Sequence, residues 1–207
     1  MTQRSGLRIP ATPRRASRLA LLLSSMVTLG LAAEVAPIHT EDFEVATTGW
    51  TFNKGSEFPG AEGRLEQCAE AALEGTGGLR LHFDFTGGGA YVAAYFTLPT
   101  PADISAVNLT LRKPSRGAIT FRASDSEGQT CQKPLTFRHD RPQHLQVTMD
   151  RWAFSWGGPA DRHLRQPVTQ IGILIEQREL PPDALVGYVD IDNVVFLAGT
   201  AVVPEQQ

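Results

Sequence analysis

The sequence predicts an all-β protein, a sandwich or barrel of short antiparallel strands. Three observations carry that reading. Apolar residues recur at every second position in one segment after another, the period of a half-buried strand. Glycine and proline, 19 and 14 of 207 residues, punctuate those segments at short intervals. No stretch carries a convincing amphipathic helix. Residues 66–74 (EQCAEAALE) have helical composition, but the glycines that follow limit them to one turn.

The first 33 residues stand apart from the fold. Arg4, Arg8, Arg14, Arg15 and Arg18 precede an apolar run over 19–32 that ends in small residues. That is the order of a secretory signal peptide, with cleavage after Ala32 or Ala33. The run is short for a membrane span, and retention as an N-terminal anchor is the alternative. Arg14 and Arg15 are followed by Ala16, Ser17 and Arg18 where a twin-arginine signal would place apolar residues. Removing the leader takes five of the 19 basic residues and none of the 22 acidic ones, so the net charge moves from −3 to −8. No Lys/Arg cluster survives, which makes nucleic acid a poor partner. The mature chain is expected outside the cytoplasm, extracellular or periplasmic, monomeric and free of the membrane. It has residues enough for one core, placed at 41–198, with 199–207 as a tail.

Export also bears on Cys68 and Cys131, the two cysteines. An oxidising compartment permits a bridge between them, and both sit in strand-like segments that would be neighbours. Two unpaired thiols are the alternative. The strands themselves follow in order. Residues 43–46 open the series, 50–52 add a short piece, and 63–68 come next. After the 77–99 stretch, 104–112 puts Val107, Leu109 and Leu111 on one face. Residues 118–124 set Ile119, Phe121 and Ala123 against Thr120, Arg122 and Ser124. A turn at 125–128 leads into 129–133; then 144–149, 169–176 and 187–197 complete the set. Leu81, Phe83, Phe96, Leu109, Phe121, Val147 and Ile173 are the expected core.

The stretch 77–99 (GGLRLHFDFTGGGAYVAAYFTLP) reads as a hairpin on a glycine turn. Leu79, Leu81, Phe83 and Phe85 alternate with Arg80, His82 and Asp84. Val92, Ala94, Phe96 and Leu98 alternate with Tyr91, Ala93 and Tyr95. With the apolar sets inward, one outer face would carry Arg80, His82, Asp84, Tyr91 and Tyr95 together. An ordinary mixed polar coat is the plainer reading of the same pattern.

Five segments occur in an order that resembles a known family: FE near the start, FTGGGAYV, DSEGQT, WGGPAD over 156–161, and GYVDIDNVVF at the end. Together they are similar to galactose-binding-like jelly-roll domains, the carbohydrate-binding modules attached to secreted bacterial glycoside hydrolases. The resemblance spans residues 42–197 and implies a two-sheet antiparallel β-sandwich, a glycan partner and no catalysis of its own. The sequence departs from it in carrying no hydrolase domain for the module to serve.

The resemblance also implies a structural Ca²⁺ tying the first strand to the last, with Glu44 and Asp192 as the matching acids. Calcium takes several oxygen ligands, so neighbouring acids and loop carbonyls are its usual source. Asp190 shares a strand face with Asp192, and Asp42 is a further candidate. Solvated edge-strand acids that discourage strand pairing are the competing account.

A sugar site needs aromatic platforms for the apolar face of the ring, with donors and acceptors for its hydroxyls. Tyr91 and Tyr95 would be platforms; Arg80, His82, Asp84, Arg112, Arg122 and Gln132 would supply the polar contacts. Trp152 and Trp156 lie in a loop that would rim the sheet, although core packing is as natural a role for each. A second class remains open: Asp84, His82, Tyr91 and Arg122 would make a cluster of the kind a polysaccharide lyase or glycoside hydrolase needs. No nucleophile motif, zinc-binding HExxH or phosphate-binding loop accompanies it. A structural or adhesive surface protein would share the fold without a groove.

Overall fold

The computed structural model describes residues 37–47 and 49–199. The signal-peptide reading of residues 1–33, and the tail from residue 200, lie outside them. The first six strands are β1 (Pro37–Glu41), β2 (Trp50–Asn53), β3 (Glu62–Cys68), β4 (Gly78–Asp84), β5 (Tyr91–Ala102) and β6 (Ile104–Arg112). The rest are β7 (Ile119–Asp125), β8 (Thr130–Leu135), β9 (Gln143–Thr148), β10 (Phe154–Trp156), β11 (Val168–Glu176) and β12 (Val186–Ala198). They form two antiparallel sheets. The first runs β3-β4-β12-β6-β9, with β1 also on β12; the second runs β10-β8-β7-β11-β5-β2. The two 3-10 turns, Ala69–Ala71 and Gln177–Glu179, are the helical elements among the described residues, and no helix there is long and apolar enough to cross a membrane.

Alternation explains the sandwich. On β4, β6, β7 and β11 the inward residues Leu81, Phe83, Leu109, Phe121 and Ile173 are all essentially inaccessible, as are Phe96 on β5 and Val147 on β9. The expected core is therefore the observed one. Each such side chain removes apolar surface from water, worth roughly 1.5–3 kcal/mol.

The expected hairpin is not formed. β4 pairs with β3 and β12 in the first sheet, while β5 pairs with β2 and β11 in the second. The glycines between them carry the chain from one sheet to the other. Gly89 has φ +91°, and a Cβ there would meet the Ala61 backbone nitrogen at 2.3 Å. Close passage against residues 60 and 61, with positive φ, is what excludes side chains here.

Three further differences concern strands and cysteines. Strand β1 starts the sandwich at Pro37, ahead of the expected opening at 43–46, which is not a strand; it pairs with residues 194–197 of β12. Strand β10 occupies what the sequence presents as a loop. Cys68 lies on β3 and Cys131 on β8, in different sheets, and both are free thiols. The expected neighbourhood of their strands fails because those strands pair with β4 and with β7 and β10 instead.

Two of the charged groups buried in the first sheet, Asp190 and Lys113, have close polar partners. Asp190 on β12 is fully buried and clamped by its cross-strand partners: Arg80 Nε donates to Oδ1 at 2.6 Å, and Arg112 Nη2 to Oδ2 at 2.6 Å. Lys113 is also fully buried; its ammonium donates to the Ser115 carbonyl at 2.7 Å and hydroxyl at 3.0 Å, and to the Arg116 carbonyl.

Candidate functional site

The outward face of the second sheet holds a cleft of about 650 Å³. Its floor follows from register. Tyr95 on β5 and Arg122 on β7 both lie opposite Gly172 on β11, and Gln132 on β8 lies opposite Arg122. A Cβ on Gly172 would meet the Tyr95 ring at 2.5 Å. Glycine at that position lets the ring lie across β11 towards the arginine.

Arg122 is the centre. Its Nη1 donates to the Tyr95 hydroxyl, and its Nε and Nη2 donate to Gln132 Oε1 at 3.3 and 3.0 Å. Its guanidinium carbon lies 5.1 Å from the Tyr91 ring centre and 4.7 Å from that of Trp156. Cation–π attraction to both rings holds the plane where side chains alone would leave it mobile. Each terminal nitrogen keeps one N–H without a protein acceptor among the described residues, because a guanidinium offers five donors and three are used.

The walls are aromatic and acidic. Tyr91 donates its hydroxyl to Glu57 Oε1 at 2.7 Å, and Phe58 meets its ring edge-on at 6.5 Å. Burial, reinforced by Glu57, pushes the Tyr91 phenol up to about 12, so it stays protonated as a donor. The same hydrogen bond holds Glu57 below the usual carboxylate range. Glu176, opposite Tyr91 on β11, accepts from Thr120 at 3.1 Å and pairs with Arg178 at 3.2 Å. The cleft thus carries two acids, Glu57 and Glu176, and two bases, Arg122 and Arg178. It has no net charge.

Of the residues singled out from sequence, Tyr91, Tyr95, Arg122, Gln132 and Trp156 converge here. Tyr95 is 9 % exposed and positions Arg122 rather than offering a free platform. Arg80, His82 and Asp84 do not belong to this site. They lie on β4, in the other sheet, where Arg80 stacks on Tyr188 at 4.0 Å, His82 bonds Glu66 at 3.1 Å, and Asp84 caps the turn at Thr86. The imagined cluster of Asp84, His82, Tyr91 and Arg122 is accordingly not assembled. Trp152 is 6 % exposed and stacks on Phe121 in the core at 6.3 Å. Glu57, Phe58, Glu176 and Arg178 complete the cleft without being candidates from the sequence. Glu176 was within reach, being on the opposite alternation from Ile171, Ile173 and Ile175; Glu57 and Phe58 arrive on a loop whose destination no local pattern reveals.

The four acids expected around calcium separate. Asp190 is committed to Arg80 and Arg112, and Asp42 accepts the Glu44 backbone N–H at 3.2 Å. Glu44 and Asp192 accept from different residues of one loop, 73–77. Glu44 accepts from the backbone of Thr76 at 2.8 Å, and Asp192 Oδ2 accepts from Leu73 and Glu74 at 2.8 and 2.9 Å. Asp192 is buried, and no cationic side chain pairs with it among the described residues. Desolvation raises its carboxyl above the usual range. Among those residues no three His, Cys, Asp or Glu side chains converge as a metal cage, so carbonyl oxygens would have to complete one.

No protein-family model and no curated protein sequence matches the chain. Solved structures do. The family 11 carbohydrate-binding module of the cellulosomal cellulase Lic26A-Cel5E of Clostridium thermocellum superposes with a TM-score of 0.61 at 12 % identity, covering 81 % of this chain and 97 % of that one. An exo-β-agarase matches with a TM-score of 0.54 at 13 % identity, over 79 % of this chain and 26 % of its own. The mannan-recognising carbohydrate-binding module TmCBM27 matches with a TM-score of 0.50 at 16 % identity, over 80 % and 98 %. The fold of this chain is the jelly-roll β-sandwich of carbohydrate-binding modules.

Proposed function

We propose that this chain is a carbohydrate-binding module, exported by its leader, that holds a neutral poly- or oligosaccharide in the cleft of the second sheet. The observation that carries the reading is the guanidinium of Arg122 fixed between Tyr91 and Trp156 in a cleft of zero net charge. Aromatic faces suit the C–H side of a sugar ring, while the free N–H groups of Arg122 and the carboxylates of Glu57 and Glu176 suit hydroxyls. A family 11 module of this fold has been solved in complex with a β-1,3-1,4-mixed-linked tetrasaccharide, which supports a glycan as ligand. Service to a glycoside hydrolase, on another chain or in a longer product, is part of the same proposal.

Retention on mixed-linkage β-glucan, mannan and agarose tests it. Trp156→Ala should weaken binding to the retained glycan by about 2 kcal/mol, roughly thirtyfold, and His82→Ala on the opposite sheet should leave it unchanged. Release of reducing ends or unsaturated products would favour a hydrolase or lyase. A folded protein that retains no glycan would favour an adhesive or structural role.

We propose in addition that Ca²⁺ provides the missing counter-charge of Asp192. Glu44 and the 73–77 loop would share in holding it, and its contribution would be to fasten that loop to β12.

A further inference from the structure

The cleft does not end at Arg122. A second, smaller hollow of about 90 Å³ adjoins it, bordered by Phe154, Pro134 and Lys133, and it shares Gln132, Glu176 and Arg178 with the first. Phe154 is 56 % exposed and Trp156 42 %. Both point outward from β10, because they pair with Gln132 and Thr130, whereas Ser155 between them pairs with the buried Cys131. Two residues of strand separate the rings, roughly 7 Å, a spacing comparable to one pyranose residue along a chain. Large aromatic rings exposed side by side on an edge strand are not accounted for by packing.

Gln132 marks the junction. It is 7 % exposed, and its Oε1 must face Arg122, from which it accepts two hydrogen bonds. That assignment turns its Nε2 the other way, where it has no protein acceptor among the described residues. A donor held at the boundary of two hollows suits a hydroxyl or bridging oxygen of a ligand that spans both. The second hollow is also balanced in charge, with Lys133 and Arg178 against Glu176 and Glu179, so it favours the same neutral ligand.

We infer that the Phe154 hollow is a second subsite, so that the protein reads a neutral glycan chain of several residues and Phe154 sets how much of its length is bound. This rests on the proposed glycan-binding role of the first cleft. Titration calorimetry with a ladder of oligosaccharides, from two to six residues of whichever polysaccharide the protein retains, tests it. For the wild type the affinity should climb with length beyond the shortest ligand that binds. Phe154→Ala should abolish that climb, lowering affinity for the longest oligomer about tenfold while leaving the shortest unchanged. Trp156→Ala should weaken every length. Phe154→Leu, which keeps apolar area without an aromatic face, should behave as Phe154→Ala does, and a circular-dichroism melt confirms that each variant folds. A wild-type affinity independent of length, or a Phe154→Ala loss equal at all lengths, overturns the second subsite while leaving the first intact. Absence of binding by any oligomer or polymer removes the first cleft's role and this inference together.

Discussion

Lys113 follows Arg112 just past the end of β6, and its side chain is wholly buried. Its partners are carbonyls and a hydroxyl, with no carboxylate to balance the charge. Burial therefore pushes the ammonium down to about 8. Between that value and the ordinary lysine range, the unfolded chain binds more protons than the folded one. Stability from this site accordingly rises with pH across that window. In thermal melts at pH 7 and pH 10, the gap in melting temperature between wild type and Lys113→Met should move in favour of wild type at the higher pH. A gap that does not move would mean that Lys113 keeps one protonation state through folding. At the same scale, Gly172 shows how a missing side chain builds a site: its bare Cα is what admits the Tyr95 ring and so fixes Arg122.

Strands were legible one by one, and their partners were not. Period-2 alternation says which side chains face inward, and it did so for Leu81, Phe83, Phe96 and Ile173. It does not say which sheet a strand joins, because strands of facing sheets both point their apolar residues at the same core. That is why β4 and β5, adjacent in sequence and matched in pattern, read as a hairpin although they lie in different sheets. The same ambiguity bears on the site: Arg80, His82 and Asp84 share only alternation with Tyr91 and Tyr95, from which the other sheet separates them. Arg122 does share an outer face with Tyr91 and Tyr95, because β7 lies in the sheet of β5. The two tryptophans of DRWAFSW divide for a similar reason. Trp156 is on the outer face of β10, while Trp152, before that strand, turns inward onto Phe121 and donates its ring N–H to the Met149 carbonyl at 3.2 Å. Trp152→Ala should therefore cost about 3–5 kcal/mol of stability in denaturant unfolding. Glycan affinity per folded molecule should be unaffected, opposite to the expectation for Trp156→Ala.

At the scale of the whole molecule, β12 is the strand that joins distant parts of the chain, pairing with β1, β4 and β6 at once. Its two buried carboxylates meet contrasting surroundings. Asp190 has two arginines; Asp192, beside a bulge at which Asn193 takes φ +48°, has only N–H donors and the nearby Glu74 carboxylate. A buried anion without a cation is costly, and a divalent ion at Asp192 and Glu44 would relieve it while tying residues 73–77 to the last strand. Such an ion would bind the folded state alone, since only folding brings Glu44 and Asp192 to the 73–77 loop. At a hundredfold excess over its dissociation constant it would add about 2.7 kcal/mol, a rise of roughly 5–10 °C in melting temperature for a domain of this size. The expected result is a lower melting temperature in EDTA than in CaCl₂. That difference should disappear in Asp192→Asn and Glu44→Gln. It should also shrink in acid, where the cation must displace a proton from a carboxyl that burial already raises. Asp190→Asn supplies the contrast. It leaves Arg80 and Arg112 without their shared anion, at a cost of about 3 kcal/mol, and the loss should be the same with calcium or chelator. If wild-type melts coincide in EDTA and CaCl₂, the N–H donors of the 73–77 loop suffice for Asp192, and β12 holds the sandwich together without a metal.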